Sequence, residues 1–429
     1  MDRIAVIILG GGQGKRLDPL TKTKCKPAIS FGGRYCLIDV PIANSLSSGL
    51  SKIFVIGQYL SDTLQRHLLQ TYLYQDISKN QIQLLVPKEK DGKYDEYKGT
   101  ADAVRQNLDY FAQISADYFL ILSGDQIYNI DFQKMVNFAV DVKADMVIAS
   151  QAVNKKEAKR MGVIKIHQRG TEIIDFYEKP KEEKILKKYY TDALTLHKIG
   201  YPVEKGKNYI GSMGIYLFKR QVLFDLLIQD PREDFGEHLI KSQLKKGDNH
   251  VFFYKGYWED VGTIESYYHA NLALTNPSNS QQLGLDTYDV SHEFMTKLYN
   301  LPGAQILNCS IKESLICEGS IVEGKAVVHS LLGVGIILGK GSTIRDSVVI
   351  GNDYNADLVH HNPLRQPTIG KNCQIDRTII DQNVKIGDNV TLVNRDRYQN
   401  YDSPDGRIIL RDGIMVIPRG TEIPNNYVF

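Results

Sequence analysis

Apolar residues recur every six positions in the last third of this 429-residue chain. Three series show the spacing: Leu315, Ile321 and Val327; Leu332, Leu338, Ile344 and Ile350; and Ile380, Ile386 and Leu392. Neither a helix nor a simple strand has this period. A parallel β-helix has it, because each flat face takes one short strand and each corner takes a tight turn. The alternative is a β-sandwich in which this spacing is accidental. It is disfavoured because ten positions fall into the three six-residue series.

One segment of this region breaks the period. It runs from Asp353 to Pro367 and contains His360, His361 and Pro363. We predict a loop inserted at one corner of the β-helix. Two adjacent histidines are compatible with a metal site, but a solvated loop is the favoured interpretation.

The first 275 residues follow a different pattern, in which short apolar runs alternate with segments of helical spacing. The predicted strands are Ile4–Leu9, Ile53–Ile56, Tyr118–Leu122 and Met146–Ala149. The predicted crossover helices carry Ala101, Val104, Leu108 and Phe111, and then Phe132, Met135, Val136 and Ala139. This alternation predicts an α/β domain of Rossmann type, with a mostly parallel sheet covered by helices on both faces.

A stretch rich in Asn, Ser and Pro, "TNPSNSQQLG", separates the two patterns. Such composition is typical of a linker. We therefore predict a first domain over residues 1–275, a linker over 276–305 and a β-helix domain over 306–429.

The composition limits the classes of function that are open to this chain. Lys and Arg number 52 against 50 Asp and Glu, so no strong overall field attracts nucleic acid or an anionic membrane. The longest aliphatic run, Ile4–Leu9, is too short to cross a bilayer and leaves no room for a signal peptide before it, which predicts a cytoplasmic protein. The five cysteines are widely spaced and form no C-x-x-C motif, so we expect reduced thiols.

The first predicted strand leads into the glycine-rich segment "ILGGGQGKRLDPLTKTKCKP". A Walker P-loop would need a glycine five residues before Gly14 and Ser or Thr at Arg16. A dinucleotide fingerprint would need a third glycine where Lys15 or Leu17 stands. Neither motif matches the spacing of these residues. The pattern that remains is G-G-x-G-x-R followed by Lys-Pro.

The remaining pattern suits a polyphosphate. Glycines let backbone N–H groups approach phosphate oxygens closely, and the guanidinium of Arg16 can bind phosphate through paired hydrogen bonds. Lys26 adds a second positive charge nearby. An ordinary tight turn is the alternative for the glycines alone.

At this point the sequence resembles the sugar nucleotidyltransferases, and within them the glucose-1-phosphate adenylyltransferase family, closer to its cyanobacterial and plant type than to its enteric type. The matching blocks include "LGGGQGKRLDPLTKTKCKPAISFGG", "GTADAVRQNL", "SGDQIY", "DFYEKP", "GSMGIYLF", "DFG", "GYWEDVGTIESYYHANLAL" and "IIDQNVKIGDN". The resemblance implies a Rossmann-like nucleotidyltransferase domain followed by a left-handed β-helix. It also implies ATP and glucose 1-phosphate as substrates, ADP-glucose and pyrophosphate as products, and a homotetramer.

The resemblance assigns roles to individual residues. Asp125 follows the predicted strand "YFLIL", at the sheet edge where such folds bind ligands. By resemblance Asp125 and Asp260 bind Mg²⁺, and Arg16, Lys26 and Asp125 are catalytic. A turn or helix-capping aspartate is the alternative for either carboxylate.

The resemblance also implies two groups of binding residues. For the nucleotide they are Gly11, Gly12, Gly14, Gln58 and Gly99. For the sugar phosphate they are Tyr97, Gly162, Glu178, Lys179 and Ser212. Lys179 is expected to pair with the phosphate, and Glu178 to accept a sugar hydroxyl.

Some positions depart from the family pattern. Gln126 replaces the histidine that usually follows the catalytic aspartate. Gln382 and Pro418 stand where activator-binding lysines are expected, and Thr23 stands at the enteric activator lysine. The allosteric effector is therefore left open, with Arg419 as a substitute positive charge.

Two alternative functions stay open at this stage. One is a pyrophosphorylase that uses UTP or dTTP. The other is a non-catalytic regulatory subunit of the same architecture, which the presence of Arg16, Lys26, Asp125, Asp260 and Lys179 disfavours.

Overall fold

The structure is a computed structural model. It describes residues 3–73, 81–90, 93–168, 170–201, 204–282, 294–352 and 368–429. The predicted loop Asp353–Pro367, with its two histidines, lies outside the described residues. Within these ranges no helix has the length and apolar character that crossing a bilayer requires.

Nine strands of the first domain form one sheet. They are β1 (Ile4–Leu9), β2 (Lys52–Ile56), β3 (Gln81–Leu85), β4 (Tyr118–Ser123), β5 (Met146–Val153), β6 (Gly162–Ile166), β7 (Ile173–Glu178), β8 (Tyr209–Lys219) and β9 (Asn249–Phe253). The order is β7-β6-β8-β4-β1-β2-β3, and β5 joins β8 to β9. Strands β2, β1 and β4 run parallel, as the sequence predicts, and β3, which was not predicted, pairs parallel with β2. Strands β6, β7 and β8 were not predicted and pair antiparallel.

The central strand β1 is apolar throughout because the sheet is covered on both sides. Ala5 and Ile7 lie in the core on one face, and Val6 and Ile8 lie in the core on the other. Burial on both faces gives a continuous apolar run in place of alternation. The Rossmann-like prediction is confirmed, and the carboxyl ends of β1, β2 and β4 meet at one edge.

Twelve α-helices lie in the described residues of the first domain and the linker, and most of them join strands of this sheet. They span Asp39–Ser47, Ser61–Leu68, Thr100–Arg105, Leu108–Ala112, Phe132–Asp141, Lys155–Ala158, Glu183–Lys188, Ala193–Lys198, Arg220–Gln229, Ile240–Gln243, Ile264–Ala273 and Pro277–Gln282. The helical spacing around Ala101 to Phe111 belongs to two short helices, not one. The predicted linker contains the helix Pro277–Gln282.

The C-terminal region is a parallel β-helix with three faces. One face holds Gln305–Ile306, Ile321–Val322, Ile337–Leu338, Lys385–Ile386 and Glu422–Ile423. The second holds Ser310–Lys312, Ala326–Val328, Thr343–Arg345, Gln374–Asp376 and Thr391–Leu392. The third holds Leu315–Ile316, Leu331–Val334, Val348–Gly351, Thr378–Ile380 and Ile414–Ile417, with the antiparallel strands Ile409–Arg411 and Tyr401–Asp402 at its end.

All ten residues of the six-residue series lie on these strands, but not all of them point into the coil. Seven belong to the core of the β-helix. Leu315 and Ile350 instead belong to the core between the two domains, and Ile321 is half-buried. The reason is that core positions recur at five or six residues, as from Val322 to Val327, so a strict period of six drifts off the core face.

The β-helix is fixed against the first domain through the helix Ile264–Ala273. Tyr267 and Tyr268 of this helix are buried in a core shared with Val348 of the β-helix. The hydroxyl of Tyr268 donates to the carbonyl of Asp346 at 2.5 Å. This packing places the β-helix beside the segment that follows the glycine turn.

Candidate active site

The glycine-rich segment turns sharply after β1. The N–H of Gly10 donates to the carbonyl of Ile56 at 2.8 Å, which ties the turn to the end of β2. Gly14 has φ 63°, a left-handed conformation that favours glycine. A Cβ at Gly14 would lie 2.8 Å from Cγ2 of Thr21, so a side chain there would push apart the turn and the segment leading to Lys26.

The two predicted metal-binding aspartates face the same ammonium group. Lys26 Nζ forms an ion pair with Asp125 Oδ2 and lies 3.7 Å from Asp260 Oδ1. Asp125 follows β4, and Asp260 ends a short strand, Trp258–Asp260, that pairs with Gln126–Tyr128. The pairing of Asp260 with Gln126 in this ribbon brings together two residues that are far apart along the chain.

The electrostatics of this pair favour a cation. Partial burial, and then the neighbouring charge of Asp125, raise the pKa of Asp260, whereas the positive charges of Lys26 and Arg16 oppose the rise. The guanidinium of Arg16 lies over Gly262, where a Cβ would be 3.1 Å from Nη2. Two carboxylates offer the hard oxygen ligands that Mg²⁺ prefers, and the ammonium of Lys26 shows that a cation is accommodated between them.

Gln126 stabilises the ribbon that carries Asp260. Its amide nitrogen donates to the carbonyl of Met213 at 2.8 Å, and its amide oxygen lies 3.4 Å from the indole nitrogen of Trp258. Gln126 is buried. An amide therefore holds this position through one donor and one acceptor, with no group that titrates near neutral pH.

A cavity of about 570 Å³ opens beside these residues at the carboxyl edge of the sheet. Predicted residues that line it are Gly11, Gly12, Gln58, Tyr97, Gly99, Asp125, Glu178 and Lys179. They come from the ends of five strands, β1, β2, β3, β4 and β7, or from the segments that follow them, so the fold brings the nucleotide-binding and sugar-phosphate candidates into one space.

Backbone contacts hold the part of the cavity that carries the predicted nucleotide-binding residues. The amide oxygen of Gln58 accepts from the N–H of Tyr97 at 2.9 Å, which leaves the amide nitrogen of Gln58 available to a ligand. At Gly99 a Cβ would lie 2.4 Å from the carbonyl oxygen of Glu233. Glycine is thus needed at this position for close approach of two backbone segments.

Two of the predicted sugar-phosphate residues, Lys179 and Glu178, form an ion pair, with Nζ 2.8 Å from Oε1. Burial alone would lower the pKa of Lys179, but the hydrogen bond and charge of Glu178 outweigh it and raise the pKa. Lys179 therefore stays positively charged at neutral pH. Its side chain is 62% exposed, so it can turn toward a ligand in the cavity.

Several predicted residues do not line the cavity. Gly162 lies in β6, where a Cβ would be 2.4 Å from Phe176 and 2.8 Å from Oε2 of Glu178, so it acts by leaving room for Glu178. Ser212 is buried in β8, and its hydroxyl accepts from the N–H of Gly214 at 3.2 Å. Arg16, Lys26 and Asp260 lie beside the cavity rather than in its wall.

The sequence analysis missed Asp234 and Tyr216, which line the cavity. Asp234 accepts from the hydroxyl of Thr100 at 2.9 Å, and Gly236 leaves room for Glu178. The "DFG" and "GSMGIYLF" blocks that contain them were noted, but nothing in their spacing shows that they meet Glu178. That contact depends on how β7 and β8 each pair with β6, which lies between them.

A second pocket, of about 310 Å³, lies between the two domains. Gln382, which stands at an expected activator lysine, accepts hydrogen bonds from Lys24 and from Arg419, the latter at 2.7 Å. Thr23 also lines this pocket. Arg419 and Lys24 therefore place positive charge beside Gln382, and a role for Arg419 as a substitute for the lysine stays a prediction.

Two family models match the chain. A model described as nucleotidyl transferase matches residues 5–277. The chain belongs to the nucleotidyl transferase family. A second model, described as the GLGC left-handed parallel beta-helix domain, matches residues 299–428. Together they are the architecture of glucose-1-phosphate adenylyltransferase, so the predicted fold class and the handedness of the β-helix are confirmed.

Membership in this family fixes the general chemistry. The substrates are a nucleotide and a sugar phosphate, and enzymes of this kind generally use a divalent metal ion. The positions of the domain boundaries and the roles of single residues remain predictions.

Proposed function

We propose that the chain transfers an adenylyl group from ATP to glucose 1-phosphate, forming ADP-glucose and pyrophosphate. The observation that carries the proposal is the meeting of Asp125 and Asp260 at the ammonium of Lys26, beside the glycine turn and the cavity. It supports an enzyme in place of a regulatory subunit, because a subunit without catalysis needs no such site.

The proposed reaction needs no general base from the protein. The phosphate of glucose 1-phosphate is already ionised at neutral pH and can attack the α-phosphorus directly. The barrier is the approach of two anions and the charge that develops on the leaving pyrophosphate. Arg16 and Lys26 are placed to neutralise this charge, with the backbone of the glycine turn on the triphosphate.

Asp125 and Asp260 would hold Mg²⁺. The ion would neutralise charge on the phosphates and orient them for in-line displacement. Binding it would remove the repulsion that raises the pKa of Asp260 and would free the ammonium of Lys26 for the phosphates.

On the sugar side, Lys179 is placed to bind the phosphate of glucose 1-phosphate and Glu178 to accept a sugar hydroxyl. Gln58 is placed to meet the adenine with its amide nitrogen, while its oxygen is held by Tyr97. The base preference rests on the resemblance to glucose-1-phosphate adenylyltransferases and on this amide, which makes it the feature to test first.

Pyrophosphate release measured with ATP, UTP, dTTP and GTP, each with glucose 1-phosphate and Mg²⁺, tests the proposal. We expect ATP to give the highest kcat/KM, and chelation of the metal to abolish release. The Asp125→Asn variant serves as the blank. Preference for UTP or dTTP would keep the nucleotidyl transfer and reject adenylyl specificity, whereas no release with any nucleotide would reject catalysis.

The same resemblance supports a place in glycogen or starch synthesis, a cytoplasmic location and a homotetramer as further proposals. Light scattering would measure the assembly. The basic pocket between the domains supports allosteric control by an anionic metabolite. Activity measured across phosphorylated metabolites, in the native protein and in Arg419→Ala, would identify it: we expect activation that the variant loses.

A further inference from the structure

Three side chains near the interdomain pocket form a thiol–imidazole–carboxylate chain. His67 Nδ1 lies 3.5 Å from the sulfur of Cys36, and His67 Nε2 lies 2.7 Å from Asp39 Oδ1. The other oxygen of Asp39 accepts from the N–H of Cys36 at 2.7 Å. We call Cys36, His67 and Asp39 the Cys36 triad; the proposed adenylyl transfer makes no use of it.

The environment of His67 keeps it protonated. Burial opposes its charge, but the adjacent Asp39 and Cys36 outweigh burial and raise the pKa of His67 well above its usual value. Asp39 is fully buried and also accepts from the hydroxyl of Tyr72 at 2.8 Å, so it is held in place as the partner of His67. An imidazolium beside a sulfur stabilises the thiolate, which is the reactive form of cysteine.

The arrangement fits a reactive thiol better than a metal ion. The three possible ligand atoms lie within 4.8 Å of one another. However, Asp39 binds the far nitrogen of His67, so only the sulfur and Nδ1 face a common space. Structural zinc sites use four protein ligands, and catalytic sites use three.

The thiol is accessible from a positively charged space. Cys36 and His67 both line the interdomain pocket, together with Lys24, Arg66 and Arg419. Arg34 and Lys297 line it too, and Arg34 is paired with Glu318 at 3.3 Å. Among the described residues that line the pocket none carries a carboxylate. The field around Cys36 therefore favours anionic reagents over cationic ones.

We propose that Cys36 is a modification site that forms mixed disulfides with negatively charged disulfides of low molecular weight. The Cys36 thiolate attacks one sulfur of the disulfide, a new S–S bond forms, and the other sulfur leaves as a thiolate. The disulfide is the oxidant: Cys36 is oxidised as the leaving sulfur is reduced. His67 lies against the attacking sulfur, and the basic residues of the pocket select the anion.

Modification of Cys36 is also expected to affect Lys26, the proposed catalytic lysine. The thiol of Cys36 contacts the carbonyl of Ala28 at 3.5 Å, and Ala28 ends the short helical turn Lys26–Ala28. The N–H of Cys25, just before that turn, donates to Thr63 on the helix that carries His67, at 3.3 Å. A bulky adduct at Cys36 is therefore expected to displace Lys26 and lower turnover.

Two thiosulfonate reagents of opposite charge test the site on the full-length protein: methanethiosulfonate ethylsulfonate, an anion, and methanethiosulfonate ethylammonium, a cation. Each leaves methanesulfinate as it forms a disulfide. Peptide mass spectrometry follows the rate at Cys36 and, as the reference, at Cys309, a half-buried thiol of the β-helix. We expect the anion to react about tenfold faster than the cation at Cys36.

Two variants separate the causes. His67→Gln should slow the reaction of Cys36 roughly tenfold with both reagents, because the imidazolium is lost. Arg66→Glu, an exposed substitution with little effect on folding, should slow the anion and speed the cation. Cys36→Ser should retain activity and resist inhibition by the anionic reagent.

The adduct is measured by mass, so this result does not depend on which reaction the protein catalyses. The proposal is wrong if Cys309 reacts with the anion as fast as Cys36 does. It is also wrong if Arg66→Glu leaves the ratio of the two rates unchanged, and this readout stands even where His67→Gln fails to fold.

Discussion

Replacing Asp125 by asparagine is expected to lower kcat for nucleotidyl transfer by on the order of 10³-fold, with the fold unchanged. Asp125 accepts from Ser123 through Oδ1 and from Lys26 through Oδ2. Asparagine keeps one acceptor oxygen, which can serve Lys26, and its amide nitrogen can donate to the hydroxyl of Ser123 instead. It removes the negative charge that, with Asp260, would hold the metal ion. Steady-state pyrophosphate release measures the loss, and thermal unfolding followed by circular dichroism checks the fold.

A matched variant controls for the loss of a carboxylate as such. Asp141 ends the helix Phe132–Asp141 and is exposed on the same domain, so Asp141→Asn should leave kcat within about twofold of the native value. Near-native turnover in Asp125→Asn would remove the metal-binding role from this residue. It would also show that catalysis does not depend on the contact that Asp125 and Asp260 share with Lys26.

The fold was predictable where one local rule determined it. Strands β1, β2 and β4 are buried on both faces, which gives them continuous apolar runs that stand out in the sequence. Strands β6 and β7 were missed because they have polar positions facing solvent, such as Lys165 and Asp175, and resemble loops. They pair antiparallel with each other, and β6 joins the sheet through β8, which lies far away along the chain.

The candidate site was predictable residue by residue but not as an arrangement. The resemblance located Asp125 and Asp260, yet their meeting depends on the ribbon that pairs Gln126 with Asp260. Sequence spacing carries no signal for that ribbon. The same limit explains why Asp234 was missed and why the Cys36 triad was not foreseen. Cys36 and Asp39 are close along the chain, but only tertiary packing brings His67 to them.

Lys179→Ala is expected to raise the KM for glucose 1-phosphate roughly 100-fold and to change the KM for ATP little. A hydrogen bond to a charged group contributes about 1.5–3 kcal/mol when its partner is left without it. Lys179 carries its charge at neutral pH because Glu178 raises its pKa. Lys179 and its partner Glu178 are among the predicted sugar-phosphate residues that line the cavity, so the loss should fall on one substrate.

Two further variants make the result specific to charge at this position. Lys181→Ala removes an exposed lysine two residues away and should leave both KM values unchanged. Lys179→Arg keeps the charge and should recover part of the affinity for glucose 1-phosphate, although the guanidinium has a different shape. Equal losses for both substrates would contradict a role for Lys179 on the sugar phosphate, because a contact made with one substrate cannot weaken both alike. Such a result would instead indicate that the ion pair with Glu178 shapes the whole cavity, and the sugar phosphate would then need another cation among the residues that line it.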